Sequence, residues 1–198
     1  MDDTVCAIII LEGERGLGKT SACLAVAGLV GDRSLRVAGF LSESRRDAFG
    51  LPIEVNLRNL SNGEVNLLAT RGGNLGGPRW PPESERGFSF SDEAFSQALG
   101  QLFASIEMGP SKEARHPGLV ILDEIGPVEL ELGLGFMPFV AATATASREG
   151  RRLPPILFTT RPSLAGRLAA LFPEGRATRC ALDVKNREAM PARIASLL

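Results

Sequence analysis

Residues 5–11 read VCAIIIL, a run of apolar and largely β-branched side chains that ends at Glu12-Gly13. A run of that length without alternation suits a strand buried on both faces, as in the interior of a parallel sheet. Residues 13–20 follow as GERGLGKT, and residues 19–30 carry Ala, Leu and Val on a helical period. Strand, glycine loop and helix in direct succession leave few architectures open, because parallel strands need long crossovers, usually helical.

The rest of the chain continues the alternation. Residues 35–42 (LRVAGFLS) predict a second strand. Residues 51–59 alternate at Ile53, Val55 and Leu57, Ser61-Asn62-Gly63-Glu64 carries turn chemistry, and residues 65–69 are apolar again, which predicts a β-hairpin. Residues 70–90 are dense in Gly, Pro and Arg, contain Trp80, and read as a long loop. Ser91 is placed to cap a helix with Asp92 and Glu93 in its first turn and Phe95, Leu99, Leu102, Phe103 and Ile106 on its apolar face. A linker at 110–117 precedes a second fully apolar strand at 119–122, which ends in Asp123-Glu124. Residues 136–147 read as helix, 155–160 (PILFTT) as a third buried strand, 164–172 as helix and 177–184 as a late strand, and Pro191 opens a terminal helix. The expected fold is α/β: a doubly wound, mostly parallel sheet flanked by helices. Residues 1–198 form one domain in this reading, with 51–90 as a hairpin and loop insertion.

The segment GERGLGKT satisfies G-x-x-x-x-G-K-[ST], and it lies where that pattern has a mechanism, after a buried strand and at the start of a helix. Glycine lets successive backbone N–H groups turn inward, and the positive end of the helix points at the same anion. The candidate nucleotide-binding stretch is therefore Gly13, Glu14, Arg15, Gly16, Leu17, Gly18, Lys19, Thr20 and Ser21. Lys19 is expected on the β- and γ-phosphates, and the Thr20 hydroxyl on Mg²⁺. Nineteen arginines accompany three lysines, yet this position is Lys; a compact ammonium fits where a planar guanidinium does not.

Asp123 and Glu124 have the form of a Walker B segment, LVILDE. The carboxyl end of a parallel strand opens onto the same crevice as the glycine loop, so Asp123 could hold the Mg²⁺ shell. Glu124 could orient or deprotonate an attacking water. Arg45 could reach the γ-phosphate or pair with Glu43. Asn186 and Arg187 could border the base and ribose or cap the final helix. Thr159-Thr160 could sense the γ-phosphate or satisfy a strand end, and Trp80 could anchor a loop or stack on a base.

With these residues in view, the chain resembles the small P-loop nucleoside-triphosphatase family. The likeness rests on GERGLGKT; on Gly39-Phe40-Leu41 with Glu43 and Arg45, similar to GF-x-x-x-E-x-R; and on Ser61-Asn62-Gly63-Glu64 before Leu68-Ala69. DEIGPVEL from Asp123 to Leu130 and Lys185-Asn186-Arg187-Glu188, similar to ENRD, complete it. The resemblance implies slow, Mg²⁺-dependent hydrolysis of ATP, GTP and other nucleoside triphosphates to diphosphate and phosphate on a RecA-like core. Residues 46–50 match the family only loosely, and 70–90 look individual to this chain.

Composition narrows the alternatives. Twenty-two basic against twenty-three acidic residues leave no excess to grip a phosphate backbone, which disfavours nucleic acid as the main partner. The longest apolar candidate for a membrane helix, 132–147, is broken by Gly133, Gly135 and Pro138, and Met1-Asp2-Asp3 is acidic where a secretory signal is basic. A cytoplasmic location is expected. Cys6, Cys23 and Cys180 lack CxxC spacing and read as buried small hydrophobes, and a lone His116 excludes a two-histidine zinc site. A triad through His116 has no GxSxG elbow to work with. Two competitors stay open: a kinase using Arg71, Arg79 and Arg86 as a lid, and a non-enzymatic nucleotide switch.

Overall fold

The computed structural model describes residues 8–84, 87–106 and 117–198. Met1-Asp2-Asp3, Cys6, Arg86, His116 and most of the 110–117 linker lie outside them. The strands are β1 Ile8–Glu12, β2 Val37–Arg46, β3 Pro52–Asn59, β4 Val65–Arg71, β5 Gly76–Trp80, β6 Phe88–Ser91, β7 Leu119–Leu122, β8 Ile156–Thr160 and β9 Ala177–Ala181. The helices are α1 Lys19–Gly31, α2 Asp92–Ile106, α3 Pro127–Leu130, α4 Met137–Arg148, α5 Pro162–Ala169 and α6 Met190–Ala195.

Side-chain alternation sorts the sheet's two faces. Ile8 and Ile10 pack with Phe40, Val120, Leu122 and Phe158 against α2, α4 and α5. Ile9 and Leu11 pack with Leu41, Leu119, Ile121 and Leu157 against α1 and α6. Both faces of β1, β7 and β8 are buried, as their unbroken apolar runs require. Ser91 Oγ accepts the Ala94 N–H at 3.1 Å, so the expected cap on α2 forms. Cys23 and Cys180 are buried and free.

The described strands form one nine-stranded sheet in the order β5-β6-β4-β3-β2-β7-β8-β1-β9. It is mixed, which corrects the expectation of a mostly parallel sheet. The pairs β2-β7, β7-β8, β8-β1 and β1-β9 are parallel. The pairs β2-β3, β3-β4, β4-β6 and β6-β5 are antiparallel. Residues 70–90, expected as a loop, contribute β5 and β6. The sequence of β5, GGPRW, has little strand propensity, but as the sheet's edge it tolerates Pro78. Four residues, FSFS, are enough for β6 because it is paired on both sides. Pairing with β3 also prolongs β2 to Arg46, which puts Glu43 and Arg45 inside a strand rather than in a loop.

Gly39 lets β2 approach β7. Its φ is +107°, and a Cβ there would lie 1.9 Å from the Ile121 carbonyl oxygen. That neighbour is backbone of a central strand and has little room to move. Gly39→Ala is expected to lower unfolding stability by about 3 kcal/mol or more, read from the urea midpoint at unchanged slope. A loss under about 0.5 kcal/mol would contradict so close an approach.

Candidate functional site

The carboxyl ends of β1, β7 and β8 open on one rim of the sheet, and the glycine loop crosses it. Gly16 and Gly18 have φ of +83° and +94°, with nothing near an added Cβ, so glycine is required there for conformation rather than for space. Gly13 is different: a Cβ would press on Leu182 at 3.2 Å. Lys19 opens α1, is 8% exposed, and donates to the Gly13 and Glu14 carbonyls at 2.6 and 3.1 Å. Burial lowers its pKa, against the opposing pull of Glu124 and Asp123. Glu14, Arg15 and Ser21 are exposed, and Leu17 is half-buried against the α1 core.

Across the crevice, Thr20 Oγ1 donates to Asp123 Oδ2 at 2.6 Å. The other Asp123 oxygen accepts the Thr159 hydroxyl at 2.5 Å, and the Ser42 N–H reaches Oδ2 at 3.2 Å. Asp123 is 1% exposed. Burial raises its pKa, and the hydrogen bonds from Thr159, Thr20 and Ser42 oppose that rise. Hydroxyl and carboxylate oxygen in contact make a hard donor pair, fitted to a divalent cation that completes its shell with water and phosphate oxygens. Among the described residues no three His, Cys, Asp or Glu side chains form a metal cluster.

Thr159 also fixes the next residue. Its hydroxyl oxygen accepts the Glu124 N–H at 2.8 Å while its proton goes to Asp123. Glu124 has φ +63°, a left-handed conformation that is strained for a side chain of this kind. It turns the carboxylate away from the core and into the crevice, where solvent reaches it although protein surrounds it on most sides. That enclosure raises its pKa, and Asp123 raises it further; Arg15, Lys19 and Arg161 pull it down. The Thr160 hydroxyl donates to the Ile125 carbonyl at 2.6 Å. Both threonines of β8 therefore bond within the protein, and Thr160 also borders the cavity.

The crevice deepens into a cavity of about 390 Å³. Its lining includes Arg15, Gly16, Gly18, Lys19, Thr20 and Glu124, and two residues that sequence reasoning missed: Arg161, and Arg46, which sits on β2 opposite Pro52 of β3. Arg161 was legible: it directly follows PILFTT, at the same strand end as the threonines. Arg45 does not line the cavity. On β2 its guanidinium forms a two-pronged ion pair with Glu54, and Glu43 pairs instead with Arg58 at 2.6 Å. Asn186 and Arg187 are not among the lining residues either. Asn186 organises the turn after β9, accepting the Asp183 N–H at 2.9 Å and donating to the Ala181 carbonyl at 2.8 Å, while Arg187 is exposed. That turn nonetheless lies beside the glycine loop, since the Leu182 N–H donates to the Glu12 carbonyl at 2.7 Å. Arg71 and Arg79 bond to the Pro52 and Gly73 carbonyls at 2.9 and 2.7 Å.

The chain is similar to proteins described as nucleoside triphosphatases. A family model described as NTPase matches residues 8–195. The chain is 26% identical over 188 residues to the nucleoside-triphosphatase THEP1 of Thermofilum pendens, covering 94% of this chain and 92% of that protein. It is 30% identical over 123 residues to that of Methanopyrus kandleri, covering 62% and 59%. Among solved structures, a human cancer-related nucleoside triphosphatase superposes with a TM-score of 0.67 at 20% identity, with 96% of each chain covered. THEP1 from Aquifex aeolicus superposes at 0.68 and 19% identity, covering 97% of this chain and 98% of that one. At such identities the structural likeness bears on the fold.

One acid of the site titrates near neutrality. Glu129, 5% exposed, accepts the Gly126 N–H at 2.9 Å and the Phe136 N–H at 3.3 Å, and so ties the turn after Glu124 to the segment leading into α4. Burial pushes its carboxyl up to about 7, against the two N–H donors. The folded value lies above the ordinary 4.5, so this group's contribution to stability is complete below about 4.5 and is lost as pH rises through about 7. Glu129→Gln is expected to flatten that fall, on the order of 3 kcal/mol, in urea unfolding at a series of pH values. An identical slope in both proteins would contradict it.

Proposed function

The chain belongs to the NTPase family, and on that premise we propose that it hydrolyses the terminal phosphoanhydride of nucleoside triphosphates, ATP and GTP among them, with Mg²⁺. The observation that carries the reading is the hydrogen-bonded line Thr20–Asp123–Thr159, which joins the glycine loop to the acid pair while Glu124 faces the same cavity. Family membership favours hydrolysis over the kinase and switch alternatives. We also read the whole chain as one domain built on a RecA-like P-loop core, and as cytoplasmic. No described helix is long and apolar enough to cross a membrane.

In this reading the Gly13–Thr20 backbone and the start of α1 cradle the phosphates, and Lys19 exchanges its two carbonyl partners for phosphate oxygens. Thr20 and Asp123 would hold Mg²⁺, which when bound screens the β- and γ-phosphate charge. Glu124 aligns a water with the γ-phosphorus and takes its proton as the new oxygen–phosphorus bond forms and the bridge to the β-phosphate breaks. Arg15 and Arg161, whose charges Glu124 already senses, neutralise the charge that develops. Arg45, bound to Glu54 outside the cavity lining, would need to leave that partner to take part. Asn186 and Arg187, on the turn beside the glycine loop, would border the nucleoside.

Three substitutions test these roles by phosphate release and nucleotide calorimetry with Mg²⁺. Lys19→Ala is expected to abolish tight nucleotide binding. Glu124→Gln should keep binding and lose about 10² to 10⁴ in kcat. Equal turnover in Glu124→Gln and the parent chain would refute the base assignment. Arg161→Ala is expected to lower kcat by about tenfold or more with a smaller change in KM, and the opposite split would make it a binding residue.

A further inference from the structure

The cavity has a second end that the hydrolytic reading does not use. Every residue that β3, β4, β5 and β6 contribute to its lining is apolar, and Val55, Trp80, Phe88 and Phe90 there are each half-buried. Beneath them Phe90 stacks on Phe95 with ring centroids 5.8 Å apart, and Phe95 meets Phe136 edge-on at 5.0 Å. Phe95 and Phe136 are buried and hold Phe90 in place from behind, while Trp80, Phe88 and Phe90, each half-buried, line a space that the phosphate cradle also borders.

Strand order says which part of a nucleotide could reach this lobe. The acid pair on β7 marks the terminal phosphate, and the β9 turn, on the other side of β1, marks the nucleoside end. The lobe lies beyond β7, on the β2 side, so a nucleotide seated in the cradle leaves it vacant for something else. We infer that this lobe is a second binding site, for a small molecule that carries a flat aromatic ring and a hydrogen-bond donor turned toward Glu124. The inference rests on the hydrolytic reading for the placing of the phosphates.

The chemistry of the walls selects the occupant. A flat ring adds to Trp80, Phe88 and Phe90 by offset or edge contact, which an aliphatic ring of the same size cannot match. Glu124, facing into the cavity, supplies an acceptor at the lobe's polar boundary. An occupant there displaces the water that Glu124 would otherwise align. Hydrolysis falls while nucleotide binding on the glycine loop persists.

Trp80, the one tryptophan of the chain, lines the lobe and reports its occupancy. Titrating the protein with benzyl alcohol should change Trp80 fluorescence saturably, and cyclohexylmethanol, the saturated analogue, should bind at least about fivefold more weakly. Phosphate release from Mg·ATP should fall along the same benzyl alcohol curve, with the ATP dissociation constant unchanged. Val55→Phe fills the lobe; it should lose the fluorescence response and itself lower phosphate release severalfold. Phe88→Ala removes a wall and should weaken the aromatic probe about tenfold, which covers the case in which Val55→Phe fails to fold. A linear or ring-blind response, or hydrolysis indifferent to a saturated lobe, overturns the inference. The fluorescence arm needs no turnover, so a chain that releases no phosphate refutes the hydrolytic reading alone. A hydrolysing chain without a ring-selective response refutes this site.

Discussion

The line Thr20–Asp123–Thr159 is the constraint from which the site follows. It spans three elements that are distant in sequence: α1 behind the glycine loop, the end of β7, and the end of β8. Its geometry is possible because β8 lies between β1 and β7, so a hydroxyl from β8 falls between the loop and the acid. A carboxylate as buried as Asp123 is unfavourable unless its lone pairs are occupied, and Thr20, Thr159 and Ser42 occupy them. The acid is thus held in place by the protein itself, so the cation proposed for this position would not have to order it.

Two adjacent carboxylates in opposite surroundings can take different roles. Asp123 continues the strand direction into the interior, whereas Glu124, one residue later, is reversed into the crevice by its left-handed backbone. The strain in that reversal persists because its neighbours over-determine it. Thr159 holds the Glu124 and Ile125 N–H groups, and Glu129 fastens Gly126 to Phe136. The glutamate motif DEIGPVEL is therefore a structural unit as well as a chemical one: its last acid keeps the turn closed from which the first pair is presented.

The parallel half of the fold was legible because its signal is local. Fully apolar strands, helical periods and GERGLGKT each declare themselves within about ten residues, and the meeting of Lys19, Thr20, Asp123 and Glu124 follows from the strand-end rule for parallel sheets. What escaped was set by partners far along the chain. β5 has no strand pattern of its own and exists through its pairing with β6. The strand expected over residues 35–42 stops short of Arg45 because nothing in residues 43–46 says that β3 will pair there, and once paired, the cross-strand neighbour Glu54 claims Arg45 rather than Glu43. Arg161 sat in plain view after a strand already assigned, but without a motif to flag it. Asn186 caps no helix: the final helix starts from Ala189 without a side-chain cap, and the Asn186 side chain closes the turn after β9 through Asp183 and Ala181, a use set by the local turn rather than by the helix that follows.

The mixed character of the sheet divides the labour within the cavity. The parallel strands, with crossovers on both faces, bring polar groups to one rim at fixed spacing. The antiparallel strands, joined by short turns, extend the same sheet sideways from β2 and contribute apolar side chains to the lining. A wall of that kind offers little to a triphosphate, which needs N–H donors and cations; its apolar side chains suit a different kind of contact. Burial is the largest cause of the upward shift in Glu124's pKa, and in the base role proposed for it a shift in that direction favours accepting a proton. The insertion that the sequence presents as an irregular stretch of Gly, Pro and Arg therefore extends the sheet and lines the cavity with apolar side chains, apart from the glycine loop.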